Sequence, residues 1–215
     1  MALRWDFSTL ADQLGRVVQD AEDALRLEQA VYGLDWRDEL ALQQLLAEGM
    51  VAHYEVAREA HYPSTVGRKL SHRTRCDLVL TPKGLPLRLD IGPPSLFDPP
   101  RQTDPGDALW LEVKVASQFR QPGVPHGGYG QQWRSAVIED LRKMEAETLI
   151  REAGLLLLVF NESQAVLDKD LDLFETVLAR KEVLAGFRHV RSVPILDRMG
   201  HRLCTLALWP TLQRG

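Results

Sequence analysis

The chain has 215 residues, 45% of them hydrophobic and 26% charged, with a formal net charge of −4. That is enough to bury one large core, and the composition is too ordinary for wholesale disorder or for a body coated in basic surface. No apolar run approaches the roughly 20 residues of a membrane helix, and Met1-Ala2-Leu3-Arg4-Trp5-Asp6 lacks a basic-then-apolar leader pattern, so a cytoplasmic protein outside the membrane is expected.

Residues 8 to about 30 carry Leu10, Leu14, Val17, Val18, Ala21, Leu25 and Ala30 near one stripe, the pattern of an amphipathic helix. A second helix is expected at 36 to 49, with Asp35 as its N-cap and Gly49 at its end. On it Glu39 shares the face of Leu42 and Leu46, an acid on the buried side that can also favour the helix dipole. Residues 51 to 62 read as a strand closed by Pro63-Ser64, and 73 to 81 as another, closed by Pro82-Lys83-Gly84. Seven prolines and three glycines between 82 and 107 predict a long irregular excursion.

A third strand, Trp110-Leu111-Glu112-Val113-Lys114-Val115, is followed by the glycine-rich loop 121 to 130. A helix is expected from about 131 to 152, with Trp133, Val137, Leu141 and Met144 on one stripe and Gly154 marking its end. The unbroken apolar run Leu155 to Phe160 predicts a central strand covered on both faces. A helix near 169 to 184 and strands near 187 to 196 and 202 to 209, joined by a turn at Met199-Gly200, complete the chain. Cys76 and Cys204 sit in apolar strand patterns and read as reduced core thiols.

The strand at 110 to 115 carries the chemistry. Strand side chains alternate between faces, so Glu112 and Lys114 project together while Leu111, Val113 and Val115 pack on the other side. The strand Arg75-Cys76-Asp77-Leu78-Val79-Leu80 adds a carboxylate at its start, which suggests an acidic pocket with one lysine beside a divalent metal and a phosphodiester. The competing reading is a surface ladder of Glu and Lys.

The order helix, strand, strand with Asp, strand with Glu-x-Lys, helix, strand resembles the PD-(D/E)XK nuclease superfamily over roughly residues 36 to 160. The resemblance implies an α/β, restriction-endonuclease-like fold: a mixed central sheet flanked by helices, an α-β-β-β-α-β core within 36 to 215, with residues 1 to 35 as an N-terminal helical extension. By position, Asp77 and Glu112 match the family's metal-binding acids and Lys114 its lysine. Glu39 is similar to the acid many members carry on the preceding helix, with Glu59 a rival for that role, and Gln131 or Gln132 looks like the polar residue opening the next helix. Cys76, not proline, precedes Asp77.

The resemblance implies a metal-dependent nuclease acting on DNA, in restriction, phage defence or repair, with RNA the less favoured substrate. Asp77, Glu112 and the carbonyl of Val113 are hard oxygen ligands suited to Mg²⁺, with Mn²⁺ substituting, and Lys114 would position the attacking water or support the transition state. Residues 58 to 75 carry five positive charges and one negative (Arg58, Arg68, Lys69, Arg73, Arg75 and Glu59), and Arg120 and Arg134 interleave with Phe119, Tyr129 and Trp133. A positive rim for an anionic polymer is expected there. It is modest, so dimerisation or a partner protein is expected to assist.

The pI near 5.9 and the lack of a helix-turn-helix or zinc finger motivate the alternative of a non-cleaving, nuclease-fold subunit of a larger complex. The histidines and cysteines show no zinc spacing, and the glycines near Gly128 make no phosphate loop. Asp140 and Lys143 read as an exposed helical ion pair, and His126 as a loop residue near the site.

Overall fold

A computed structural model describes residues 5–65, 74–88 and 101–213. It contains helices α1 (Phe7–Leu27) and α2 (Glu39–Met50), strands β1 (Tyr54–His61), β2 (Arg75–Pro82) and β3 (Leu109–Ser117), and a small hairpin β4 (Phe119–Gln121) and β5 (Val124–Pro125). Helix α3 (Tyr129–Ala146), β6 (Glu152–Asn161), α4 (Gln164–Arg180), β7 (His189–Pro194) and β8 (Leu203–Gln213) follow. Six strands form one mixed sheet in the order β1-β2-β3-β6-β8-β7, with β3 and β6 parallel and the other pairs antiparallel.

Helices cover both faces of the sheet. Alternating residues of β3 explain why: Leu109, Leu111 and Val113 join one buried cluster with Leu10, Leu14, Leu42 and Leu46 from α1 and α2. Trp110 and Ala116 join the other, with Trp133, Val137 and Leu141 of α3 and Leu171 and Phe174 of α4. Strand β6 supplies Leu156, Leu158 and Phe160 to the first cluster and Leu155, Leu157 and Val159 to the second, as its unbroken apolar run predicts. Among the described residues no helix is long and apolar enough to cross a membrane.

Several boundaries differ from expectation, each for a local reason. Helix α1 is a full member of the first layer rather than an appendage, since seven of its residues are buried and Trp5 just before it donates to the Asp107 carbonyl at 3.1 Å. Helix α2 is capped by Asp38, which accepts from Ala41 N at 2.8 Å, and Asp35 is buried elsewhere. Gly49 lies inside α2, not at its end: a Cβ there would come within 2.3 Å of Val17, so its absence lets α1 and α2 approach. Gly154 likewise sits within β6, where a Cβ would meet Phe7, Leu111 and the Trp209 carbonyl at 2.9 to 3.1 Å. Helix α3 ends at Ala146, six residues before the expected 152. The excursion after β2 is irregular where described, pinned by the Leu87–Thr103 bridge; residues 89 to 100 lie outside the described residues. Cys76 and Cys204 are free, buried thiols in opposite layers.

Candidate active site

Strands β2 and β3 pair through Leu78↔Leu111, Val79↔Trp110 and Leu80↔Leu109, and the same register carried on sets Asp77 opposite Glu112. The regular pairing stops at that point. On the other side of β2, Glu59 has a left-handed φ of 51° and forms no ladder pair with Asp77, although its neighbours on both sides keep register. Alternation along β2 breaks there too, because Cys76 and Val79 both belong to the α3-side layer. Freed from the ladder, the Asp77 carboxylate accepts from Val113 N at 2.7 Å, which holds it against β3 beside the Glu112 position.

Glu112 is 2% exposed. Its Oε1 accepts the Tyr62 hydroxyl at 2.7 Å and lies 2.5 Å from Lys143 Nζ. Burial raises its pKa to about 7; Asp77 and Asp140 push the same way, and Lys143 pulls back. Lys114 Nζ sits 3.2 Å from Glu39 Oε1, 3.3 Å from Asp140 Oδ2 and 3.2 Å from the Val113 carbonyl. Burial opposes its charge, yet Asp140, Glu39 and Asp77 together hold its pKa above the usual lysine range. Asp140 Oδ1 in turn lies 3.3 Å from Lys143. Burial likewise opposes the Lys143 charge, and Glu112 and Asp140 outweigh it, so its pKa is raised. Four carboxylates (Asp77, Glu112, Asp140, Glu39) thus face two ammonium groups (Lys114, Lys143) in one cluster, a surplus of two negative charges.

Glu112 and Lys114 share a face, and Asp77 and Glu39 join them. Glu59 does not: it is half exposed and pairs with Arg75 at 3.7 Å. The Val113 carbonyl points into the cluster and is held by Lys114. Gln131 is exposed in the first turn of α3, and the Gln132 side chain, like Arg68, Lys69 and Arg73, lies outside the described residues.

The rim is partly committed to other contacts. Arg75 is on the surface beside Glu59, and its carbonyl accepts from Lys143 at 3.3 Å. Tyr129 donates its hydroxyl to Asp170 of α4 at 2.9 Å, which ties it to the neighbouring helix rather than to an open rim. Arg134 stacks over the Trp133 ring at 5.7 Å. Arg120 is exposed on the β4–β5 hairpin and lines a groove of ≈ 390 Å³ with Arg37, Asp38, Glu39, Ser117 and His126.

Three members of the cluster escape the sequence reading. Tyr62 follows β1 with no charge to announce it, and stacks on Trp110 at 5.3 Å. Asp140 and Lys143 do form the expected ion pair, but only 15% and 28% exposed, and joined to Lys114 and Glu112. The available signal was their place one residue before Leu141 and Met144, at the border of the buried stripe of α3.

Two carboxylates on adjacent strands, a third and fourth within reach of the same lysines, and a carboxyl group poised near neutrality suit the holding of a hard cation or the handling of a proton. Among the described residues no group of three or more His, Cys, Asp or Glu is arranged to hold a metal ion by itself, so backbone oxygen or substrate would have to complete a coordination shell. Set against known proteins, the chain matches no family model, no curated protein and no solved structure, so what it does rests on the geometry of these residues.

Proposed function

We propose that the chain is a metal-dependent nuclease of the restriction-endonuclease-like fold, hydrolysing phosphodiester bonds of nucleic acid, DNA ahead of RNA. The observation that carries this reading is the gathering of Asp77, Glu112, Asp140 and Glu39 around only two ammonium groups, with burial pushing the Glu112 pKa up to about 7 although Lys143 lies beside it. Such a site fits Mg²⁺ or Mn²⁺, with Asp77 and Glu112 as ligands and the Val113 carbonyl as a third oxygen. The ion would supply Lewis acidity at the phosphate and lower the pKa of a bound water.

The chain's own residues do the rest. Lys114, kept cationic by Glu39 and Asp140, acts as a fixed positive charge toward the phosphate rather than as a proton acceptor. Tyr62 fixes the Glu112 carboxyl through its hydroxyl, and the buried Trp110 behind it keeps that donor in place. Lys143 neutralises Glu112 at 2.5 Å and can move toward Asp140, already 3.3 Å away, when Glu112 takes another partner.

A second reading has its own support. Lys143 on Glu112 and Lys114 on the Val113 carbonyl occupy two of the oxygens a cation would use, which suits a nuclease-fold subunit that binds without cutting. Incubation of circular duplex DNA, single-stranded DNA and RNA with Mg²⁺ or Mn²⁺, beside EDTA and a Glu112→Ala control, separates the two. Metal-dependent cutting lost in Glu112→Ala and in Lys114→Ala is expected. No cutting of any substrate by the folded protein favours the binding subunit, and full activity in Lys114→Ala removes that lysine from the mechanism.

A further inference from the structure

The segment between α1 and α2 carries two aromatic side chains on a rigid base. Tyr32 and Trp36 are 61% and 45% exposed, with ring centroids 4.7 Å apart in an edge-to-face pair. The backbone beneath them is anchored three times. Leu34 is fully buried, Asp35 accepts from His201 Nδ1 at 2.9 Å, and Arg198 Nε donates to the Ala30 carbonyl at 3.0 Å. Aromatic rings held open to water on a fixed loop present stacking surface that has already lost its conformational freedom.

Asp35 and Arg37, the chain neighbours of Trp36, line a groove together with Arg120. Among the described residues neither arginine makes an ion pair, whereas the acids of the same groove are engaged: Asp38 caps α2, Glu39 holds Lys114, and Asp35 bonds His201. Glu39 also lines the groove and is one ion pair from Lys114, so the groove adjoins the Asp77–Glu112 cluster. Its volume of ≈ 390 Å³ is in the range of small-ligand sites.

We infer that Tyr32, Trp36, Arg37 and Arg120 form a docking path for single-stranded nucleic acid, in which unpaired bases stack on the two rings and the arginines take phosphates on the way to the cluster. The inference rests on the nuclease reading for its direction, toward Glu39, but the binding itself does not require cleavage. Stacking on an exposed ring needs an unpaired base, because in a duplex the base faces are covered by their neighbours. Free guanidinium groups beside the rings favour a polyanion over an apolar protein partner.

The test uses the full chain in EDTA and a fluorescein-labelled oligothymidylate, an oligouridylate of equal length and a duplex DNA, read by fluorescence anisotropy. Tyr32→Ala and Trp36→Ala are each expected to weaken binding of a single strand on the order of tenfold. Trp36→Phe should restore most of it, and the duplex should be little affected. Arg37→Ala and Arg120→Ala should each reduce the steepness of the salt dependence. Whichever single strand binds more tightly names the polymer. Unchanged single-strand affinity in both ring variants, with circular dichroism as for the parent, overturns the path. An equal loss on duplex overturns the single-strand assignment. A shift of Trp36→Ala to a smaller species in light scattering, without loss of oligonucleotide affinity, makes the patch an interface between copies instead. Glu112-dependent cutting with unaltered ring variants would sink this path and leave the nuclease; ring-dependent binding without any cutting would do the reverse.

Discussion

Among the described residues, two charge clusters are built around buried acids, Glu22 and Glu112, and they are balanced differently. In the loop layer beside α1, Glu22 is fully buried and its Oε1 accepts from Arg26 Nε at 3.0 Å, Leu196 N at 2.8 Å and Arg198 Nη1 at 3.4 Å. Asp35, close to Arg198 across Gly33, is bonded to His201, whose Nε2 accepts from Phe119 N at 3.0 Å. Two carboxylates there meet two guanidinium groups, and the polar contacts tie together segments more than 160 residues apart. Around Glu112 four carboxylates meet two ammonium groups. A balanced cluster holds the chain together, whereas in an unbalanced one the excess carboxylates repel each other and raise the energy of the folded protein. That contrast separates scaffold from site more sharply than burial does, since both clusters contain acids with almost no exposed surface.

The contrast can be broken most directly by paired substitutions. Glu22→Gln leaves Arg198 buried beside an uncharged partner and should cost on the order of 3–5 kcal/mol of stability, read from urea unfolding. Glu112→Gln removes a surplus charge and should leave stability unchanged or improved. If both variants lose stability alike, the difference between the clusters is illusory.

A smaller effect is expected from pH. Glu112 has a folded pKa raised to about 7 against an ordinary 4.5, so the folded state binds its proton more tightly than the unfolded chain does. The stability this brings is fully present below about 4.5 and is lost as pH rises through about 7. Metal-free stability measured across that window should therefore fall with pH, and Glu112→Gln should flatten the slope. The smallest change is a refinement of this one. Lys143→Met takes away the cation that pulls the Glu112 pKa down, so the same decline should shift to higher pH; a shift downward would mean that Lys143 does not act on Glu112.

What was legible in the sequence follows from which regularities are geometric. Glu112 and Lys114 share a face because strand alternation admits little else, and the two-sided burial of Leu155 to Phe160 follows from composition alone. Antiparallel pairing then brings Asp77 to Glu112. Signals with two physical meanings misled. Glycine ends helices and also permits close packing, and at Gly49 and Gly154 the second use applies. Aspartate caps helices from several positions, and Asp38 takes that role because Asp35 is bonded to a histidine 166 positions away, for which no local signal exists. Asp140 and Lys143 have the spacing of a surface pair, and only their place on the packed helix turns that pair toward the cluster.

The position of β8 has a consequence for how the protein is made. It follows β7 in the chain but lies between β6 and β7 in the sheet, and among the described residues β7 has no other ladder partner. Until β8 is in place, β6 has only β3 as a ladder partner and its second edge is open. An open apolar edge is a template for pairing with other nascent chains, so safe synthesis of this protein depends on how quickly residues 203–213 emerge and slot into place.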